Sequence, residues 1–251
     1  MGVHNAQDTV ARAIQSIQRQ TYRTWWLIVV DDGSSDGTGE RLAAIAAADA
    51  RVQILTNPRR RGLAASLNQA WRATDAALLA RMDADDISDP ERFERQLQFM
   101  RTHPEVAVLG TGARLIRGDG TAVGVAHRPA SHDDLVAVAF RESPFFHPSV
   151  MMRTSFLVAL DGYDERLPRA QDQDLWFRGI QGGFRFANLH DPLITYTVRD
   201  RASLTSAFWG AYVLFRSGIR AGRFATGTWS ALRFAAAAGR SRVTPLLPRS
   251  R

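Results

Sequence analysis

Short unbroken apolar runs and helically spaced apolar residues alternate along the first hundred positions. Trp25 to Val30, Val52 to Leu55 and Ala76 to Met82 are apolar runs bounded by polar residues, the pattern of buried strands. Between them, apolar residues recur every three or four positions: Val10, Ile14 and Ile17, then Leu42 and Ile45, then Leu63, Leu67, Ala70 and Trp71. A further helix is predicted from Pro90 through Met100, with Asp89 as cap; Asp8 or Thr9 caps the first helix, and Asp36 the second. Strands alternating with helices predict an α/β fold built on a mostly parallel sheet. Ligands of such sheets bind beyond the carboxyl ends of the strands. Asp31-Asp32 and Asp83-Ala84-Asp85 sit at such ends, and so does His4-Asn5 if Met1–Val3 is the tail of a first strand.

The rhythm changes after residue 105. Val106–Gly110, Arg114–Ile116 and Thr121–Val125 read as short strands, with Gly118-Asp119-Gly120 as a turn. Ser131–Phe140 reads as a helix and His147–Met152 as a strand. A helix opens at Gln171-Asp172-Gln173-Asp174 with its acids in the first turn, where Asp174 favours the macrodipole. Strands around Phe184–Leu189 and Leu193–Val198 close the domain. From Ser206 the chain differs again. Phe208, Trp209, Tyr212, Phe215, Ile219, Phe224, Trp229 and Phe234 are interleaved with Arg216, Arg220, Arg223 and Arg233, and no acid occurs through Arg242. One reading is helices packed on the domain; the other is an interfacial anchor on anionic lipid.

Composition narrows the chemistry. With 251 residues, 45% of them hydrophobic, the chain can bury a full core. It has no cysteine, which excludes disulfides, thiolate metal sites and cysteine nucleophiles. All 32 basic residues are arginine, and the net charge of +7 points to an anionic partner. Neither a signal peptide nor an apolar run long enough to cross a bilayer is visible, which predicts a cytoplasmic protein.

The stretch that organises the rest is Ala76 to Asp86, an apolar run ending in Asp83, Asp85 and Asp86. Acids crowded at one strand end repel each other unless a cation sits among them. A divalent ion carrying a diphosphate suits such a site, because hard cations take carboxylate and phosphate oxygens. Helix capping accounts for Asp89 and could account for Asp86, but it leaves Asp83 and Asp85 unexplained.

Six segments in order, His4-Asn5, Asp31-Asp32-Gly33-Ser34, Gly62-Leu63-Ala64, Asp83-Ala84-Asp85-Asp86, His147-Pro148-Ser149-Val150-Met151 and Gln171-Asp172-Gln173-Asp174-Leu175-Trp176, resemble family 2 glycosyltransferases over residues 1 to 205. The resemblance implies a GT-A fold: a Rossmann-like nucleotide-sugar half over 1–110, a smaller mixed acceptor half over 111–205, and a basic helical tail over 206–251. It implies an inverting enzyme with a UDP- or dTDP-sugar donor and a saccharide or lipid-linked acceptor, with no nucleic acid involved. Asp32 would then contact the base, His4, Asn5 and Arg61 would line the nucleotide, and Asp83 and Asp85 would hold Mg²⁺ or Mn²⁺ on the diphosphate. Asp172 would be the catalytic base, and His147 would line the acceptor side. A base needs to stand apart from the metal pair, which would otherwise lower its basicity. Asp172 lies on a different segment.

Relatives carry more β-rich sequence ahead of the position of His4. An apolar gap is therefore expected beside the strand ending at Val30, together with an in-frame start upstream of Met1. Gln171 stands where relatives often have Glu, and the Gln-x-x-Arg-Trp signature of processive polymerases is missing, which favours single-sugar addition. Two other readings compete. A sugar nucleotidyltransferase would need a Gly-rich loop followed by Lys, and the chain has no Lys. A nucleic-acid-binding module would interleave Arg with aromatics on an exposed sheet. An oxidoreductase is disfavoured because no Gly-x-Gly-x-x-Gly follows the first strand.

Overall fold

The structure is a computed structural model that describes residues 1–139, 142–198 and 204–220. Strands and helices alternate as β1 (Gly2–Val3), α1 (Val10–Gln18), β2 (Leu27–Asp31), α2 (Thr38–Ala48), β3 (Val52–Thr56), α3 (Leu63–Arg72) and β4 (Leu78–Ala80). There follow β5 (Ile87–Ser88), α4 (Arg92–Thr102), β6 (Val106–Ile116), β7 (Ala122–Ala126) and α5 (His132–Ala139). The chain continues with β8 (Met151–Arg153), α6 (Thr154–Ala159), α7 (Gln171–Gln181), β9 (Arg185–Thr197) and α8 (Leu204–Arg220).

β1, β2 and β3 form a parallel sheet, in which Gly2 pairs with Val30 and Leu27 with Val52. The second sheet is mixed and larger, ordered β4-β8-β6-β9-β5 with β7 on β6. β6 and β9 run parallel along most of their length, while β4, β5, β7 and β8 pair antiparallel. Two strand pairs expected from the sequence prove to be single strands. Gly112 and Pro192 interrupt the apolar pattern, and the β6–β9 ladder absorbs them as register shifts. His147–Ser149 is a 3₁₀ turn rather than strand, since Pro148 donates no ladder hydrogen bond; the strand begins only at Met151.

Three residues precede His4, and β1 pairs only with β2 among the described residues. The expected gap is present: a cavity of about 380 Å³ lies between β2 and β4, lined by Trp25, Ile28, Leu78, Leu79, Met152 and Leu157. The Met1 ammonium lies at its edge, donating to the Ile28 carbonyl at 2.7 Å. Burial, and secondarily the charge of Arg81, pushes its pKa down to about 5.

The largest apolar cluster lies under the β1–β3 sheet, with Val10, Ile14, Val29, Leu42, Phe93 and Leu109 fully or nearly buried. A second cluster centres on Trp176, packed edge-on by Phe145 and Phe186. In a third, α8 brings Val213 and Leu214 onto Leu167 and Phe177. The first part of the tail is therefore a helix docked on the domain. Phe224, Trp229, Phe234, Arg223 and Arg233 lie outside the described residues.

Candidate active site

The carboxyl ends of β1 and β2 carry the first group of side chains. His4 Nδ1 lies 3.0 Å from the Asp32 carbonyl oxygen. Asn5, in the left-handed region at φ 50°, accepts from the Ser35 amide at 2.9 Å while its own amide donates to Ser34 Oγ. Asp32 is clamped: Oδ1 accepts from Asn57 Nδ2 and the Arg61 amide at 2.8 Å each, and Oδ2 from the Gly62 amide at 2.7 Å. Burial raises the Asp32 pKa, but these hydrogen bonds outweigh it and hold the carboxyl below the usual carboxylate range. The turn requires glycine at Gly33 (φ +67°), where a Cβ would come within 2.9 Å of the Arg59–Arg60 backbone. The Arg61 guanidinium reaches across to Glu165 at 3.5 Å, on the loop ahead of α7.

The second group surrounds Arg81, a buried guanidinium at the end of β4. It grips Asp83 with both terminal nitrogens, Nη1 to Oδ2 at 2.6 Å and Nη2 to Oδ1 at 2.5 Å. Its charge also reaches Asp86, Tyr163, His147 and Asp172. Side chains from four separate segments thus share one cation. Asp86 Oδ1 accepts from the Thr197 amide at 2.8 Å, and Thr197 Oγ1 donates to the Asp85 carbonyl at 2.7 Å. His147 Nε2 lies 3.0 Å from the Tyr163 hydroxyl, with the ring edge-on to Trp176. Burial, then Arg81, pushes its pKa well down, so the imidazole stays neutral. Asp172 opens α7 from Ala170, whose φ of +58° is left-handed. Burial raises its pKa, the Gln173 amide and Arg81 lower it, and the net shift is upward.

The sequence model described as Glycosyl transferase family 2 matches residues 1–157, well over half of the chain. This chain belongs to glycosyltransferase family 2. It is 35% identical over 227 residues to EpsE of Bacillus subtilis, covering 86% of this chain and 80% of EpsE. It is 30% identical over 210 residues to the O-antigen biosynthesis glycosyltransferase WbnJ of Escherichia coli, covering 82% and 81%. Solved structures share the GT-A fold. TarS of S. aureus in complex with UDP-GlcNAc superposes with a TM-score of 0.71 at 18% identity, over 93% of this chain and 69% of that one. The mannosyltransferase PcManGT of Pyrobaculum calidifontis, in complex with GDP-Man and Mn²⁺, superposes with a TM-score of 0.68 at 19% identity, over 94% and 72%.

In this glycosyltransferase the residues singled out in the sequence fall into two groups. His4, Asn5, Asp32 and Arg61 share the β1–β2 edge; Asp83, Asp85, His147 and Asp172 share the Arg81 neighbourhood. Four participants were missed. Asn57 and Tyr163 carry no motif of their own. Arg81 had a readable signal, a lone cation at the end of an apolar run directly ahead of three acids. Asp86 was read as one of the crowded acids or as a cap but not named as a ligand. The expected Asp89 cap is not found either, since the N-cap of α4 is Glu91, and Asp89 accepts from the Glu91 amide at 3.1 Å in the turn before it.

One oxygen each of Asp83, Asp85 and Asp86 falls within 4.8 Å of the others. An all-carboxylate donor set suits Mg²⁺ or Mn²⁺. Asp86 Oδ2 is buried without a hydrogen-bond partner, which fits a ligand atom aimed at a cation. Without one, burial and the neighbouring Asp83 push the Asp86 pKa up to about 8.

The sign of that shift gives a first expected result. The folded chain holds a proton on Asp86 that the unfolded chain releases near pH 4, so this group's contribution is full below that pH and is lost as pH rises toward 8. In EDTA, the melting midpoint of Asp86→Asn minus that of the parent should widen from pH 4 to pH 8, by about 5 °C or more. A difference that stays flat with pH would mean that Asp86 is not a buried protonated acid.

Proposed function

We propose that this enzyme transfers one sugar, with inversion, from a nucleotide-diphospho-sugar to an acceptor hydroxyl, assisted by a divalent metal. The observation that carries the reading is the Asp83, Asp85 and Asp86 cluster, one oxygen of each within 4.8 Å of the others, with Asp172 in the first turn of α7 on a separate segment. Asp172 takes the acceptor hydroxyl proton; the oxygen attacks the anomeric carbon as its bond to the diphosphate breaks, and the nucleoside diphosphate departs. Asp85 and Asp86, with Asp83, would hold Mg²⁺ or Mn²⁺, which as a Lewis acid neutralises the leaving diphosphate. The clamped Asp32 and the neighbouring His4, Asn5 and Arg61 would form the nucleotide pocket, and neutral His147 with Tyr163 the acceptor wall. Functionally, residues 1–110 serve the donor, 111–205 the acceptor, and 206–251 form a tail.

UDP- and dTDP-sugars remain the first candidate donors, and the GDP-Man seen with PcManGT adds guanosine sugars to them. The acceptor is a saccharide or a lipid-linked saccharide of surface polysaccharide assembly, in keeping with the O-antigen role of WbnJ. The test is a panel of nucleotide sugars scored by release of nucleoside diphosphate with Mn²⁺ present. If no donor yields any, the reading fails.

A cytoplasmic enzyme working on a lipid-linked acceptor would sit on the inner face of the membrane. None of the described helices is long and apolar enough to cross a bilayer. The outer face of α8 carries Phe208 (64% exposed) and Tyr212 (41% exposed) one turn apart. The tail contains no acid from Ser206 onward; Arg216 pairs with Asp164 and Asp174 of the domain, and the arginines beyond it have no acid within the tail itself to offset them. Aromatics at the headgroup level with Arg on anionic lipid would hold the protein there, each Arg near the surface contributing about 1 kcal/mol. The full chain should therefore sediment with phosphatidylglycerol vesicles at low salt, and Phe208→Ser with Tyr212→Ser should reduce the bound fraction several-fold. Equal recovery in the supernatant with and without vesicles would rule out this role for α8.

A further inference from the structure

α8 lies beyond the part of the chain matched by the family model, yet one of its side chains reaches the helix that carries Asp172. Arg216 donates from Nη2 to Asp174 Oδ1 and from both terminal nitrogens to Asp164 Oδ2 at 3.1 Å. The other Asp174 oxygen, Oδ2, accepts from Arg178 Nε at 2.7 Å. Arg178 in turn donates to the carbonyls of Leu160 and Gly162 at 2.6 and 2.7 Å. The Asp174 carboxylate is 1% exposed, so Arg216 and Arg178 neutralise a buried charge as well as tie segments together. A simple dipole role for Asp174 at the start of α7 does not account for this; its carboxylate points into the α8 interface.

The segment so held needs holding. Ala170 adopts a left-handed backbone one residue before α7, a conformation that costs a non-glycine residue about 1 kcal/mol or more and persists only where the surroundings enforce it. The Asp174 amide bonds to the Ala170 carbonyl at 3.1 Å, and Ala170 packs against the Leu167, Phe177, Val213 and Leu214 cluster. Asp164 belongs to the loop that carries Tyr163, the partner of His147. Arg216 therefore bridges the two segments that present the acceptor wall and the base.

We propose that Arg216 is a positioning residue for glycosyl transfer: through Asp174 and Asp164 it fixes the first turn of α7, and with it the Asp172 carboxylate. α8 then completes the site from outside the nucleotide half. This rests on the reading of Asp172 as base. A displacement on the order of 1 Å at a reacting group can cost about 100-fold in rate while leaving the distant donor subsite alone.

Arg216→Met keeps the apolar stem and removes the fork. Its kcat for transfer should fall roughly 10- to 100-fold, while the donor KM and the Kd for nucleoside diphosphate stay within about twofold. Amides of residues 171–175 should exchange faster in hydrogen-exchange mass spectrometry, and Arg216→Lys should fall between the two. A merely structural Arg216 would lower the melting midpoint while kcat per folded molecule stayed unchanged. Unchanged kcat and exchange, or donor affinity falling in step with kcat, would overturn the proposal. Should the Met variant not fold, the Lys variant decides by the same readouts. Failure of the base assignment is visible separately: Asp172→Asn would then retain activity, and exchange in the Arg216 variants still reports whether α7 is held.

Discussion

Asp172→Asn should lower kcat by about 10² to 10⁴ and leave nucleotide binding unchanged. The substitution is nearly isosteric and can still accept from the Gln173 amide, so the start of α7 keeps its geometry. Only the proton acceptor is lost. Burial raises the pKa of the Asp172 carboxyl, which makes its carboxylate a stronger base. The acid limb of the kcat profile should accordingly fall above the range of an ordinary carboxylate, and the residual activity of the Asn variant should lose that limb. Arg81 opposes the lift, so the basicity of Asp172 is a compromise between a dry site and a nearby cation. Titration calorimetry with nucleoside diphosphate supplies the control. If affinity drops as far as kcat does, Asp172 belongs to the donor pocket and is not the base.

Asp85→Ala should abolish nearly all transfer, by roughly 10³-fold or more, because a leaving diphosphate without its metal loses several kcal/mol of charge stabilisation. Unlike the Asp172 change, it should also weaken nucleoside diphosphate binding, since a cation held there would add its charge to the diphosphate site. EDTA should reproduce the loss in the parent protein, and Mn²⁺ should restore the parent but not the variant. Full activity after EDTA treatment and dialysis would remove the metal from the mechanism. These two substitutions therefore separate the site into a half that reads in kcat alone and a half that reads in binding as well.

Much of this was legible in the sequence. The apolar runs ending in Asp31 and at Met82 placed acids at strand ends, and helical spacing fixed α1 and α3. Local patterns did less well where tertiary pairing overrode them. Gly112 and Pro192 look like strand ends, yet β6 and β9 pass through them because each has a partner that tolerates the shift. Asp86 resembled a local cap because its partner, the Thr197 amide, lies 111 positions along the chain. Arg216 drew notice only as one tail arginine among several, since nothing near it in sequence announces Asp164 and Asp174. β1 was the opposite case: a strand of only Gly2 and Val3 was enough to expect the cavity beside β2.

The bidentate grip of Arg81 on Asp83 bears on how the enzyme would meet the proposed metal in the cell. Clustered carboxylates often leave a protein unable to fold until an ion arrives, so that folding and metal loading become one event. Here the chain carries part of its own counter-charge in a buried guanidinium, which already satisfies the acid closest to β4. On the proposed reading, folding would then need no metal, and the ion would arrive with the donor and leave with the product, as a companion of the substrate rather than a fixture of the fold.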